Sequence, residues 1–176
     1  MADTYDVVFR GATVANHDGA GIRDIGVKNG RIAALGEIAE RQAGEVVACR
    51  GLHILPGVID TQVHFREPGA PHKEDLESGS RSAIMGGVTA VFEMPNTRPS
   101  TTNAEALADK LQRANGRMHC DFAFFVGATE ANADQVDELE RLPGAAGIKI
   151  FMGSSTGDLL VAEEATLRRV RREKRQ

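Results

Sequence analysis

The sequence predicts an α/β fold: a small β segment followed by parallel βα units. Two observations carry this. The hydrophobic pattern changes at Leu52: before it, short runs alternate between apolar and polar residues and are divided by Asn and Gly turns, whereas after it apolar, β-branched runs alternate with helical periods. Polar or Gly-rich segments also follow the C-terminal end of each later apolar run. With 41% hydrophobic and 26% charged residues, the chain has the composition of a packed globular protein.

The elements follow in order. Tyr5 to Val14 reads as a strand broken at Gly11, and Asn16-His17-Asp18-Gly19 as a turn. Ile25 and Val27 alternate into Asn29-Gly30, a hairpin signal, and Ile32 to Leu35 is the partner strand. Val46 to Ala48 is a further short strand. Residues 1–52 are therefore expected to form a β-sandwich segment, incomplete by itself. Ile54 to Asp60 then opens the second part as an apolar run that turns polar. Asp75 to Gly86 is a helix, Val88 to Phe92 a buried strand, and Thr102 to Asn115 a helix with Ala104, Leu107, Ala108 and Leu111 at helical spacing. Asp121 to Val126 is a strand, Ala133 to Leu142 a helix, Ile148 to Met152 a strand, and a helix starts at Ala162. Four βα units over residues 53–176 make the first half of a (β/α)8 TIM-type barrel, whose active site lies at the strands' C-terminal ends.

The net charge of -4 gives no basic surface for nucleic acid or an anionic membrane. The basic run Arg168 to Arg175 suits a helix C-terminus, where cations meet the helix dipole, better than a nucleic-acid tail on an acidic chain. Cys49 and Cys120 lack CxxC spacing and read as free thiols in a reducing compartment. The acidic N-terminus lacks a signal core, and no apolar run reaches membrane-spanning length. The expected location is the cytoplasm.

Three segments carry chemistry. In Asp60-Thr61-Gln62-Val63-His64-Phe65-Arg66, alternate residues of a strand point one way, so Asp60, Gln62, His64 and Arg66 can share a face. An imidazole beside a carboxylate can begin a metal site, although a lone histidine near a strand end is more often structural. In Met94-Pro95-Asn96-Thr97, Asn96 offers amide donors and a carbonyl acceptor to an amide or carboxylate ligand; the same residues also make an ordinary turn and helix entry. Lys149 is a charge within the apolar Gly147-Ile148-Lys149-Ile150-Phe151-Met152. It is either a lysine of lowered pKa, able to react with CO₂ to form a metal-binding carbamate, or an edge-strand lysine whose ammonium reaches water.

Together these segments resemble the dihydroorotase group of cyclic amidohydrolases. Asp60 to Gly69 is similar to its signature Asp-x-His-x-His-Phe-Arg-Glu-Pro-Gly, and the resemblance continues through Lys73-Glu74-Asp75, Ser78-Gly79, Gly86-Gly87-Val88-Thr89 and Met94-Pro95-Asn96-Thr97. The resemblance implies that His64 binds zinc, one or two ions, that Asp60 lies beside the metal, and that Lys149 bridges metals when carboxylated. Arg66 and Asn96 would hold a substrate carboxylate and polar groups, the planar guanidinium pairing bidentately with the carboxylate. The implied reaction is reversible hydrolysis of dihydroorotate to N-carbamoyl-L-aspartate, in pyrimidine biosynthesis.

Gln62 stands where the signature has its first histidine, and an amide is a poorer zinc ligand than an imidazole. That predicts a weakened, single-ion or lost metal site. The resemblance also implies two histidines and a catalytic aspartate on later strands, which residues 1–176 do not include, so the chain is expected to be inactive by itself. Open sheet edges predict instability, self-association or a partner such as aspartate transcarbamoylase. The rival readings are a hydantoinase, dihydropyrimidinase or allantoinase, and a non-catalytic dihydroorotase-like scaffold.

Overall fold

The computed structural model describes residues 5–153 and 159–173. The chain divides into two compact units, Met1–Pro56 and Gly57–Gln176.

The first unit is one five-stranded sheet. Strands β1 (Tyr5–Asn16), β2 (Gly19–Lys28), β3 (Arg31–Gly36) and β4 (Ala43–Ala48) lie in the order β3-β2-β1-β4, and the short β5 (His53–Ile54) also pairs with β1. β2 runs antiparallel to both β1 and β3, as the Asn29-Gly30 turn requires. β4 and β5 run parallel to β1 and share its free edge in tandem, β4 over Tyr5–Arg10 and β5 at Thr13 and Val14. Gly11 bends β1 without ending it. The register with β2 slips between Phe9 and Ala12, and Gly11 has φ 71°. The extra residue changes which face the strand buries, so Phe9 before it and Ala12 and Val14 after it join one cluster with Ile25 and Cys49. Asp24 fixes the bulge: its carboxylate accepts from the Gly11 amide at 2.8 Å and from the Ile38 amide at 3.1 Å.

The second unit alternates strand and helix: β6 (Val58–Val63), α1 (Leu76–Met85), β7 (Val88–Glu93), α2 (Ala104–Ala114), β8 (Asp121–Gly127), α3 (Val136–Glu140), β9 (Ala145–Lys149) and α4 (Glu164–Glu173). The four strands are parallel in the order β6-β7-β8-β9, which is the topology of four successive barrel units. Asp75 caps α1 by accepting from the Ser78 amide at 2.7 Å, and Asn103 caps α2 through the Ala106 amide at 2.8 Å. The main core lies between helices and sheet, with Phe65, Leu76, Val91, Leu107, Phe124, Val126 and Leu139. A second cluster, Ala128, Ala133, Val136, Val161 and Val170, holds α3 and α4.

The apolar run Ile54 to Asp60 does not form one strand. Ile54 pairs with β1 in the first unit, and β6 begins only at Val58, so the units divide after Pro56. α3 starts later than its apolar spacing suggests, because Asn132 turns back and donates to the Gly127 and Thr102 carbonyls at 2.8 and 2.7 Å. β6 is an edge strand whose Val58 and Ile59 are 56% and 58% exposed, not buried as their apolar character suggests. In α4, Arg168 and Arg169 pair with Glu164 and Asp134. Lys174 to Gln176 lie outside the described residues. No helix among the described residues is long and apolar enough to cross a membrane.

Candidate active site

Of the candidate residues, His64, Arg66 and Asn96 gather where β6 and β7 end. Phe65 anchors the first of these ends. It is buried in the main core, and its ring lies over Gly79 of α1, where a Cβ would stand 2.4 Å from the ring. With Val63 and Phe65 directed into the core, His64 takes the opposite face. Arg66 then leaves the strand with φ 62°, a left-handed conformation uncommon for a non-glycine residue. The loop that follows is fixed by the Ala70 amide donating to the Arg66 carbonyl at 2.8 Å and by Glu67. The Glu67 carboxylate is buried and accepts from Arg117 at 2.8 and 3.1 Å and from the Leu76 amide at 3.1 Å.

The end of β7 meets this loop. The Met94 amide donates to the Val63 carbonyl at 3.0 Å and the Arg98 amide to the Pro68 carbonyl at 3.1 Å. These bonds bring Asn96 beside Arg66. Both line an open cavity of about 440 Å³ with His72, Lys73 and Arg98, and among the described residues its lining contains no carboxylate. A smaller void of about 10 Å³ is lined by His64, Arg66, Glu93, Met94, Asn96 and Thr97. The larger cavity presents guanidinium, ammonium and amide donors, which suit an anionic or carbonyl-rich ligand.

His64 is half-buried, and its pKa is held below the usual imidazole range. Burial is the main cause and the Arg66 charge the next. A hydrogen bond with the Asn96 side chain works the other way, while Lys149 and Lys110 add weaker depressions. The ring is therefore neutral at pH 7, with a nitrogen lone pair free to accept a proton or bind a metal.

The remaining candidates stand apart from these cavities. Asp60 and Gln62 are exposed and line neither. Strict alternation does not carry from Asp60 to His64, because the register of β6 against β7 is irregular between Asp60 and Val63. There the Asp60 carboxylate accepts from the Gln62 amide at 2.9 Å. Lys149 ends the edge strand β9 with its ammonium 5.2 Å from the Phe151 ring centroid. Its charge still acts on His64.

Among the described residues, no group of three or more His, Cys, Asp or Glu side chains is placed to hold a metal. Zinc sites are completed by three or four such donors. His64 supplies one imidazole, Asp60 a carboxylate with one oxygen taken by the Gln62 amide, Gln62 only an amide, and Lys149 a ligand only as a carbamate, so as they stand these residues do not by themselves complete a zinc site. Sequence reasoning passed over Glu93, Lys110, Lys73 and Arg98. A charge in an apolar run, the feature that marks Lys149, is equally present at Glu93 in Val91-Phe92-Glu93-Met94 and at Lys110, three residues after Leu107 on the buried face of α2.

Parallel strands followed by helices, with polar side chains gathered at the strands' C-terminal ends, define part of a (β/α)8-barrel scaffold with the site at the barrel's usual functional end. The chain belongs to the amidohydrolase family, whose model matches residues 53–165. It is 40% identical over 165 residues to an allantoinase of Rubrobacter xylanophilus, covering 93% of this chain and 36% of the relative. It is 34% identical over 164 residues to an allantoinase of Deinococcus radiodurans, covering 92% and 36%. The L-hydantoinase of Arthrobacter aurescens superposes with a TM-score of 0.86 at 29% identity, covering 95% of this chain and 38% of that one. A D-hydantoinase from a Thermus species, at 24% identity and TM-score 0.72, shares the fold over 95% of this chain and 37% of its own. The chain thus spans 36% of the length of these curated relatives. Their names match the hydantoinase and allantoinase expectation rather than dihydroorotase in particular.

Proposed function

We propose that residues 1–176 are the substrate-holding portion of a cyclic amidohydrolase that opens a cyclic ureide of the allantoin or hydantoin type. The observation that carries the reading is 40% identity to an allantoinase across 93% of the chain. The site chemistry is compatible with it. A cyclic ureide presents carbonyl acceptors and N–H donors, which Arg66 and Asn96 can meet. In the reaction, water adds its oxygen to a ring carbonyl carbon, the carbonyl carbon–nitrogen bond breaks, and the nitrogen takes the proton.

One observation favours a second reading, a dihydroorotase-type substrate. The larger cavity carries the cations Arg66, Lys73 and Arg98 and, among the described residues, no carboxylate, which suits a ring bearing a carboxylate group. Zinc, self-association and an aspartate transcarbamoylase partner remain proposals on either reading.

The test fuses this chain to the part of the Rubrobacter xylanophilus allantoinase that it does not cover. The fusion is assayed with zinc on allantoin, hydantoin and dihydroorotate. Opening of allantoin or hydantoin is the expected result. Opening of dihydroorotate alone selects the second reading. A folded fusion that opens none of them, while its Gln62→His variant is equally inert, overturns both and leaves a scaffold role.

A further inference from the structure

Glu93 and Lys110 form a buried ion pair that has no part in the proposed substrate contacts. Their side chains are 2% and 1% exposed, and Lys110 Nζ lies 3.0 Å from Glu93 Oε2. The same ammonium donates to the Met94 carbonyl at 3.2 Å and stands 5.2 Å from the Phe124 ring centroid. The Phe65 backbone amide also favours the Glu93 charge, yet neither Glu93 oxygen accepts a hydrogen bond of full geometry. Burial pushes the Glu93 carboxyl up and the Lys110 ammonium down, each against the pull of its partner.

Stability alone does not account for such a pair. Two apolar side chains of similar volume would hold α2 on the sheet without the desolvation cost of two charges. They could not bind a backbone carbonyl. Met94 opens the turn that carries Asn96, and it is held from both sides, its amide by the Val63 carbonyl and its carbonyl by Lys110. The next carbonyl, of Pro95, accepts from the Thr97 and Thr101 amides, both at 2.9 Å. Glu93 also lines the small void with His64, Arg66 and Asn96, so the pair borders the site it would order.

We infer that Glu93 and Lys110 are a positioning pair: Lys110, oriented and neutralised by Glu93, fixes the Met94 carbonyl and so aims Asn96 at His64 and Arg66. The purpose of this device rests on the proposed substrate role of Asn96; its geometry does not.

Amide hydrogen exchange and side-chain NMR of the 176-residue chain test the inference without any assay of hydrolysis. In the unaltered chain, the Thr97 and Thr101 amides exchange as slowly as the core amide of Phe124. In the double variant Glu93→Gln/Lys110→Met, Phe124 stays protected, Thr97 and Thr101 exchange at least ~10-fold faster, and the Asn96 side-chain amide signals move. Lys110→Arg, which keeps the charge and the donors, regains part of the protection. Fast exchange at Thr97 and Thr101 in the unaltered chain overturns the inference, and that arm is decisive even where the double variant does not fold. So does a double variant in which these amides and the Asn96 signals are unchanged. Failure of the ureide reading would appear only in the substrate panel, so the two are distinguishable.

Discussion

Replacing Glu67 by glutamine tests how the substrate-side loop is held. Glu67 is 6% exposed, and its two oxygens accept from both terminal nitrogens of Arg117 and from the Leu76 amide at the start of α1. Arg113 stands 3.9 Å away as a second cation. One side chain therefore ties the loop after Arg66 to the first turn of α1 and to the residues following α2. The glutamine keeps the shape and one acceptor but loses the charge and half of the paired bond to Arg117. Hydrogen bonds to charged groups contribute about 1.5–3 kcal/mol each. The Arg117 side chain is 38% exposed, so its guanidinium can recover water, which removes the larger cost of stranding a buried charge. The expected loss is about 2 kcal/mol, or about 4–8 °C in Tm for a chain of this length.

The acid limb gives a second readout. The Arg117 hydrogen bond, helped by the Leu76 amide and opposed by burial, holds the Glu67 carboxyl below the usual carboxylate range. A group whose folded pKa is depressed contributes stability that is complete above its unfolded pKa and is lost as pH falls through its folded pKa. In urea unfolding the Glu67 contribution should be complete at pH 7 and shrink as pH falls below the ordinary carboxylate range toward its depressed folded pKa, so that the gap between Glu67→Gln and the unaltered chain narrows on the acid side. A variant within 1 °C of the unaltered chain at pH 7, with a parallel acid limb, would refute this account of the loop.

Three further outcomes are expected. Leu76→Ala, at a fully buried position of the main core, should cost about 3–4 kcal/mol in urea unfolding with an unchanged m-value; a loss below about 1 kcal/mol would mean that the site collapses around the cavity. Arg66→Gly relieves a left-handed backbone while removing a guanidinium from the cavity lining, so stability should hold or rise by up to about 1 kcal/mol as the affinity for a carboxylate-bearing ring falls. A clear drop in stability would show that the arginine, rather than the backbone conformation, holds the loop. Gln62→His adds an imidazole two residues from His64 and should strengthen zinc binding by roughly tenfold or more in calorimetry; an unchanged affinity would mean that the irregular register between Asp60 and Val63 aims position 62 away from His64.

Much of the fold was legible in order. The turn at Asn29-Gly30, the apolar runs from Val88 and Asp121, and the helical stripe of Leu107 and Leu111 each carry their own local signal of turn chemistry or hydrophobic period. Those signals gave the βα alternation and the change of pattern near Leu52. They could not show where Ile54 pairs, because an apolar dipeptide reads alike in either sheet; only pairing with β1 assigns it to the first unit. The motif residues His64, Arg66 and Asn96 were also visible, since each stands where an apolar strand turns polar.

What the tertiary structure decided is which of these residues meet. Alternation gives Asp60, Gln62 and His64 one shared face, but the strand register is irregular between Asp60 and Val63, and of the three only His64 lines a cavity with Arg66 and Asn96; a two-residue period is all that sequence supplies. The approach of Asn96 to Arg66 depends on hydrogen bonds between segments about thirty residues apart, Met94 to Val63 and Arg98 to Pro68. Glu93 and Lys110, on a strand and on the helix that follows it, declare themselves only as a pair. Each alone is a charge in an apolar pattern, and burial against the other makes both tolerable. The sequence by itself determined the elements and the chemistry they carry; distances between elements, set by packing and register, determined which of that chemistry shares a site.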